Sequence, residues 1–190
     1  MRYTKLKGRQ KGDSKDSDII SRIISIGYVD EKSANEVIEF IYDINYLDYQ
    51  VDITKREPIT LIVNSPGGEV YDGLAIADAI NLSKTPINVV VLGKAMSMGL
   101  LIAACGHYRT ASKNSRFMYH EGSYEASGTG KVHRNELSEY VKLEKVYDQI
   151  LMEKSKLKTK DLKNAKNSSK DWYFDANTAL ELGIIDEILE

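Results

Sequence analysis

Cysteine and long apolar runs are scarce in this chain of 190 residues. The single cysteine, Cys105, excludes an intrachain disulfide and is typical of a reducing compartment, so we expect a cytoplasmic protein. The longest apolar stretch, Met96 to Cys105, is too short to span a membrane. The N-terminus shows no apolar segment of the kind found in signal peptides.

An excess of charge of either sign is also absent. The net charge is −2, with 28% charged and 42% hydrophobic residues, which is ordinary for a globular domain of this length. This balance gives no electrostatic basis for binding nucleic acid or an anionic membrane surface. The chain also lacks Cys/His spacing for a metal site and a Gly-Lys-Ser/Thr phosphate loop, so we expect no metal and no cofactor.

Polar composition separates the first residues from the remainder. Residues 1–17 are rich in lysine, aspartate and glycine and have few apolar groups, which predicts a flexible N-terminal arm. Residues 18–190 have enough apolar periodicity for a single domain. No internal repeat or low-complexity tract divides it.

A strand, a turn and a helix follow one another twice in the chain. Ile59–Val63 and Ile87–Leu92 have the continuous apolar pattern of buried strands, and each precedes a predicted helix, Val70–Leu82 and Met98–Cys105. This alternation predicts an α/β fold with parallel strands. The other predicted segments are helices Glu31–Tyr46, Asn135–Lys156 and Ala176–Leu182, strand Arg116–Tyr119, a loop or hairpin at Glu121–Gly130, and a polar connection at Asp161–Ser169.

Ser97 lies among small and apolar residues, Ala95–Gly99, directly after a predicted strand and before an apolar helix. A serine at a sharp strand-to-helix turn exposes its hydroxyl beside backbone N–H groups, which is the geometry of a nucleophile. A small residue that eases helix packing is the alternative. A buried hydroxyl without a partner would cost about 1–3 kcal/mol, which favours a functional role.

His120 is one of only three histidines and directly follows the predicted strand Arg116–Tyr119. An imidazole with an ordinary pKa near 6.5 is the natural proton acceptor for a serine hydroxyl, so His120 is the candidate base. His107 and His133 lie in polar segments and are read as ordinary surface residues. Cys105 lies in the apolar helix and is read as a packing residue.

Four segments resemble, in order and spacing, the proteolytic subunit of Clp-type proteases (ClpP). The resemblance covers about Ile19 to the C-terminus, and four motifs in order are far more specific than any one. They are Ser65–Gly68, Ala95–Gly99, Met118–His120 and the tail Asp171–Ala176 through Gly183–Asp186.

The resemblance implies a ClpP/crotonase-like spiral of β-β-α units with a protruding strand and long-helix handle at about residues 121–157. It implies a catalytic triad of Ser97, His120 and Asp171. Asp175 is the nearest competitor for the acid, although it is placed as a helix cap.

The resemblance also implies an oxyanion hole and a substrate-binding strand. Backbone N–H groups of Gly68 and Met98 would form the oxyanion hole. Gly67, Gly68, Glu121 and Gly122 would line the substrate, which would bind by β-augmentation. The chain departs from the family at Glu121-Gly122, where Gln-Pro is usual.

The implied function is a serine endopeptidase that cleaves unfolded polypeptides inside two stacked heptameric rings fed by a hexameric AAA+ unfoldase. Three alternatives remain at this stage. A phage-borne branch would mature capsid or scaffold proteins, and the polar arm and the charged connection between Tyr46 and Pro58 favour such divergence. A crotonase-type acyl-CoA enzyme would share the Gly-Gly oxyanion hole, and a ring subunit without catalysis would be structural.

Overall fold

The computed structural model describes residues 21–168 and 170–190. The arm predicted for residues 1–17 therefore lies outside the described residues. The strands are β1 Ile23–Ile26, β2 Ile59–Ser65, β3 Ile87–Met96, β4 Tyr108–Ser112, β5 Arg116–Tyr119, β6 Trp172–Asp175 and β7 Glu187–Leu189. The helices are α1 Glu31–Leu47, α2 Val70–Leu82, α3 Met98–Cys105, α4 Gly130–Lys154, α5 Thr159–Asn167 and α6 Ala176–Glu181, with a short 3-10 turn at Ile53–Lys55.

The strands form one mixed sheet that is parallel except at one pair. The main path runs β1-β2-β3-β4-β7, and β5 pairs with β3 and β6. Only β5 and β6 are antiparallel among the described strands. The predicted α/β class is confirmed, because helices connect the parallel strands as crossovers.

The strand β3 changes its partner halfway along its length. Asn88–Val91 pairs with β4, whereas Lys94–Met96 pairs with β5. Gly93 separates the two parts with a φ of +85°, a conformation that glycine adopts readily because it has no Cβ. The bend directs the carboxyl end of β3 away from β4 and toward β5, and the site lies there.

The helix α3 is the centre of the hydrophobic core. All eight of its residues are buried, as its uniformly apolar sequence predicts. Gly99 allows α3 to approach β2 closely, since a Cβ at this position would lie 2.8 Å from the Cβ of Ser65. The helix that follows Ser97 is therefore held firmly against the sheet.

Several segments differ, wholly or in part, from the predictions. The polar connection predicted at Asp161–Ser169 is wrong over most of its length, because α5 forms there with Leu162 buried and the Lys158 N–H donating to Asp161 Oδ2 at 2.9 Å. The strands β4 and β6 were not predicted as strands; each is only four or five residues long and gives little periodicity. Residues 121–129 form neither helix nor strand, so the predicted loop is present there and the alternative hairpin, with the strand of the handle, is not.

The long helix α4 is confirmed, although it begins at Gly130 rather than Asn135. Its N-cap is Thr129, whose hydroxyl accepts a hydrogen bond from the Val132 N–H at 3.4 Å. Over residues 21–168 and 170–190, no helix combines the length and the apolar character needed to cross a membrane.

Candidate active site

Ser97 occupies the turn between β3 and α3 in a strained backbone conformation. Its φ of +50° and ψ of −124° make it the only residue other than glycine with positive φ in the described part of the chain. Such a conformation costs on the order of 1–3 kcal/mol and persists only where surrounding contacts enforce it. The predicted sharp strand-to-helix turn is therefore present at Ser97.

Backbone hydrogen bonds hold this turn on both sides. The Ser97 N–H donates to the Met118 carbonyl at 3.0 Å, which extends the ladder in which Met96 pairs with Met118. The Ser97 carbonyl accepts from the Leu100 N–H at 2.9 Å. The N–H of Ser97 is thus bonded to β5, and its carbonyl is bonded to the first turn of α3.

His120 lies within hydrogen-bond distance of Ser97. Its Nε2 is 2.9 Å from Ser97 Oγ. The register explains this proximity, since Met118 is bonded to Ser97 and His120 is two residues further along the same strand direction. The arrangement brings a hydroxyl and a base into the contact that proton transfer requires.

The Ser65–Gly68 turn lies against Ser97. Gly67 has a φ of +102°, and a Cβ there would lie 2.6 Å from the Cβ of Ser97. Gly68 has a φ of +150°, and a Cβ there would overlap the Val29 carbonyl oxygen. The buried Ser65 hydroxyl stabilises the turn by accepting from the Gly67 N–H at 3.0 Å.

Gly68 follows the glycine that packs on Ser97, and Met98 directly follows Ser97 in the chain. Within the described residues, neither N–H donates a backbone hydrogen bond outside regular helix and strand ladders. Met98 is the first residue of α3, where N–H groups have no partner within the helix and the helix dipole favours negative charge. These groups have the character required of an oxyanion hole, and that role for Gly68 and Met98 stays a prediction.

Asp171 is exposed and forms no hydrogen bond to His120 within the described residues. The register of β5 and β6, in which Tyr119 faces Trp172, places Asp171 opposite His120 one step beyond the ladder. In the described part of the chain, its hydrogen bond is a long one, accepted from the Tyr173 hydroxyl at 3.5 Å. The role of Asp171 as the acid therefore stays a prediction.

Asp175, the competitor for the acid, caps α6. Its Oδ1 accepts from the Thr178 N–H at 2.9 Å, and this hydrogen bond lowers the pKa of the Asp175 carboxyl. The predicted capping role of Asp175 is confirmed.

A cavity of about 280 Å³ opens beside Ser97 and His120. Its walls come from α2, the Ser97 turn, the segment after His120 and α4. Of the predicted substrate-binding residues, Gly122 lines this cavity, whereas Gly67, Gly68 and Glu121 do not. The cavity is the space next to Ser97 into which a substrate side chain would fit.

Tyr147 is a site residue that sequence reasoning missed. Its hydroxyl donates to the Ser97 carbonyl at 2.8 Å. Burial raises the pKa of this tyrosine, so it remains a hydrogen-bond donor. No local pattern around Tyr147 could have indicated this contact, because it spans fifty residues of chain.

Cys105 is buried in α3, and burial raises the pKa of its thiol to about 11. A protonated, inaccessible thiol is a poor nucleophile, in agreement with its predicted packing role. Across the described residues, no group of three or more His, Cys, Asp and Glu side chains has the arrangement of a metal site.

Comparison with known proteins adds evidence independent of this geometry. The family model described as Clp protease matches residues 10–190. This match spans nearly the whole chain.

Individual relatives carry the same designation. The chain is 35% identical over 188 residues to the ATP-dependent Clp protease proteolytic subunit of Lactococcus lactis, covering 91% of this chain and 88% of the relative. It is 34% identical to that of Streptococcus mutans, covering 91% and 89%, respectively. It is 33% identical over 172 residues to that of Deinococcus radiodurans, covering 89% and 80%.

Proposed function

The chain belongs to the Clp protease family, and from this premise we propose that Ser97 and His120 are the nucleophile and the general base of its peptidase site. The enzyme is a ClpP-like serine peptidase, a hydrolase of peptide bonds. The observation that carries the residue assignment is the 2.9 Å contact between Ser97 Oγ and His120 Nε2 at a strained turn.

The first half of the proposed reaction transfers an acyl group to Ser97. Ser97 Oγ attacks the carbonyl carbon of the peptide bond while His120 Nε2 accepts the hydroxyl proton. The N–H groups of Gly68 and Met98 donate hydrogen bonds to the oxyanion of the tetrahedral intermediate. When the intermediate collapses, the C–N bond breaks and His120 gives its proton to the leaving amine.

The second half returns the enzyme to its starting state. His120 removes a proton from water, whose oxygen attacks the ester carbonyl carbon. The bond between that carbon and Ser97 Oγ then breaks, His120 returns the proton to Ser97 Oγ, and the product leaves as a carboxylic acid that ionises in water. Asp171 is proposed to accept a hydrogen bond from His120 Nδ1 and stabilise the imidazolium. This step requires the exposed carboxylate to move toward His120, since the two residues face each other without a hydrogen bond in the described structure.

The assembly and the partner are further parts of the proposal. The relatives are named as proteolytic subunits of ATP-dependent proteases, and the present chain has no Gly-Lys-Ser/Thr phosphate loop of its own. We therefore propose that it forms two stacked heptameric rings, receives unfolded polypeptides from a hexameric AAA+ unfoldase, and acts in the cytoplasm. Glu121 and Gly122 would bind substrate backbone at the edge of the site.

The alternatives from the sequence are not favoured. Family membership disfavours a crotonase-type enzyme. A structural ring without catalysis would have no need for a hydroxyl and an imidazole in direct contact at a strained turn. Capsid maturation has no support in the names of the relatives.

Labelling with a small fluorophosphonate tests the assignment. Wild-type protein should be labelled at one site, identified by peptide mass spectrometry as Ser97, and Ser97→Ala should lose all labelling. Ser112→Ala, which removes another partly buried hydroxyl, is the matched control and should label like wild type. Labelling that persists in Ser97→Ala would refute the assignment.

A further inference from the structure

The cavity beside Ser97 has an unusual charge for a space lined by aromatic rings. Among the side chains that line it there is no lysine or arginine, whereas five are carboxylates. These carboxylates are Glu69, Glu136, Glu139, Glu144 and Asp148.

Two lysines outside the cavity compensate only part of this charge. Lys166 pairs with Glu144 at 3.1 Å and with Asp148 at 2.6 Å. Lys142, whose side chain is 67% exposed, pairs with Glu139 at 3.1 Å. Glu69 and Glu136 form no salt bridge within the described residues, so the lining keeps a net negative charge.

The walls suit a long aliphatic side chain that ends in a cation. Leu143 and Val70 contribute apolar surface, and five tyrosine rings complete the lining. The rings of Tyr124 and Tyr140 lie 5.3 Å apart between centroids. The stem of lysine or arginine packs against such surfaces, and the faces of aromatic rings attract its positive end.

The negative charge of the lining also acts on the hydroxyl of Tyr140. Burial first, and then the charges of Glu144 and Glu121, raise the pKa of the Tyr140 hydroxyl. Tyr140 donates to the Gly122 carbonyl at 2.9 Å, which closes the cavity on the side of the segment after His120. The carboxylates and the reacting hydroxyl therefore line one half-open cavity.

We propose that this cavity binds the side chain of the residue whose carbonyl Ser97 attacks, and that it selects lysine or arginine at that position. This inference rests on the proposed function, because it assumes that Ser97 is the nucleophile. That side chain branches from the Cα that is bonded to the attacked carbonyl carbon, and Ser97 and His120 themselves line the cavity. Glu136 and Glu139 are the proposed specificity-determining residues.

Two peptidyl diphenyl phosphonates provide the test. They are identical except that one carries lysine and the other norleucine next to phosphorus, so they differ in the terminal ammonium. The second-order rate of Ser97 modification is followed by intact mass. We expect the lysine compound to react about fivefold faster at low ionic strength, which is the upper end of the effect of exposed charge pairs. Equal rates or faster reaction of the norleucine compound would overturn the proposal.

Salt dependence provides a second measurement without any variant. The Debye length, over which salt screens the interaction between two charges, falls from about 10 Å at 0.1 M to about 3 Å at 1 M salt. The preference for lysine should therefore fall by several-fold at 1 M salt, while the norleucine rate changes little. A lysine preference that is independent of salt would contradict electrostatic selection.

Charge-removing variants locate the effect. The double variant Glu136→Gln and Glu139→Gln should lower the lysine-to-norleucine ratio at least threefold. Glu153→Gln is the matched control, since Glu153 is on the same helix about 21 Å beyond Glu139 and outside the cavity lining. An unchanged ratio in the double variant, or an equal fall in the control, would overturn the assignment.

Labelling with the small fluorophosphonate distinguishes failure of the specificity proposal from failure of the assignment of Ser97 as the nucleophile. If it labels Ser97 and neither peptidyl compound reacts, the cavity does not accept these side chains and the specificity proposal fails alone. If it does not label Ser97, the proposed function fails and this inference fails with it.

Discussion

The two sides of the site are built in different ways. The Ser97–His120 side is held by main-chain hydrogen bonds, a strand register and close glycine packing, and its reacting atoms are 2.9 Å apart. The Asp171 side lies at the exposed end of β6, and among the described residues its carboxylate makes no hydrogen bond to His120.

This contrast shows which parts of the site geometry are fixed by the folding of a single chain. A nucleophile turn enforced by a buried helix and a parallel ladder forms with the core of the chain. A side chain at a strand end has rotamer freedom and is positioned only when a further contact orders it. The first side is therefore preorganised within the folded chain, whereas the chain by itself does not position the Asp171 carboxylate on His120.

The largest expected effect comes from removing the base. His120→Gln should lower peptide hydrolysis by about 10⁶-fold, because the Ser97 hydroxyl then has no proton acceptor. Steady-state hydrolysis of a fluorogenic peptide measures it. His133→Gln is the matched control and should retain wild-type turnover. Substantial activity in His120→Gln would contradict the assignment of His120 as the general base for Ser97.

The second prediction concerns the Asp171 side of the site. Asp171→Asn should lower kcat by about 10⁴-fold, because an amide no longer holds the imidazole in the required tautomer or stabilises the imidazolium. Asp175→Asn is the control: the amide oxygen of asparagine can still accept from the Thr178 N–H and cap α6, so kcat should stay within about twofold. If Asp171→Asn keeps wild-type kcat, Asp171 is not the acid.

The third prediction tests close packing on the preorganised side. Gly67→Ala would place a Cβ 2.6 Å from the Cβ of Ser97 at a φ of +102°, so either the turn or Ser97 must shift. A displacement near 1 Å should reduce kcat by about 10²-fold. Gly27→Ala is the control, because a Cβ there meets nothing within 4 Å. Equal activities for the two variants would contradict the packing argument.

The smallest expected effect is that of a positioning residue. Tyr147→Phe removes the hydroxyl that donates to the Ser97 carbonyl at 2.8 Å and leaves the ring in place. We expect kcat to fall about tenfold with KM within about twofold, since the contact is worth on the order of 1 kcal/mol and orients the reacting hydroxyl.

Tyr108→Phe controls for the loss of a tyrosine hydroxyl, since Tyr108 bonds Glu187 away from the site. It should leave both kinetic constants unchanged. A Tyr147→Phe variant that alters only the thermal midpoint would show that the residue is structural.

Much of the site was predictable because its signals are local. The bounds of α2, α3 and β5 agree with the patterns of apolar residues, and the site turn at Ser97 follows from a strand placed directly before an apolar helix. The glycine pair of Ser65–Gly68 indicated a close backbone approach, and the positive φ values of Gly67 and Gly68 accompany that approach.

Other features could not be predicted because they depend on distant residues. The strand β6 is four residues long and is stabilised by its ladder with β5 and by stacking of Phe174 on Phe117, with ring centroids 5.5 Å apart. The helix α5 carries one buried leucine, Leu162, which is too little periodicity for a helix prediction. The acidic lining combines Glu69, which directly precedes α2, with carboxylates of α4, which are far away in the chain.

Local patterns in the residues therefore specify the elements, the buried helix and the identities of the hydroxyl and the imidazole, because backbone preference and apolar periodicity act over a few neighbouring positions. Tertiary packing decides which of those residues meet. It brings His120 Nε2 to Ser97 Oγ and the Tyr147 hydroxyl to the Ser97 carbonyl, and it leaves Asp171 without a bond to His120 in the described chain. Contacts across 23 and 50 residues depend on register and helix packing, which no short segment encodes.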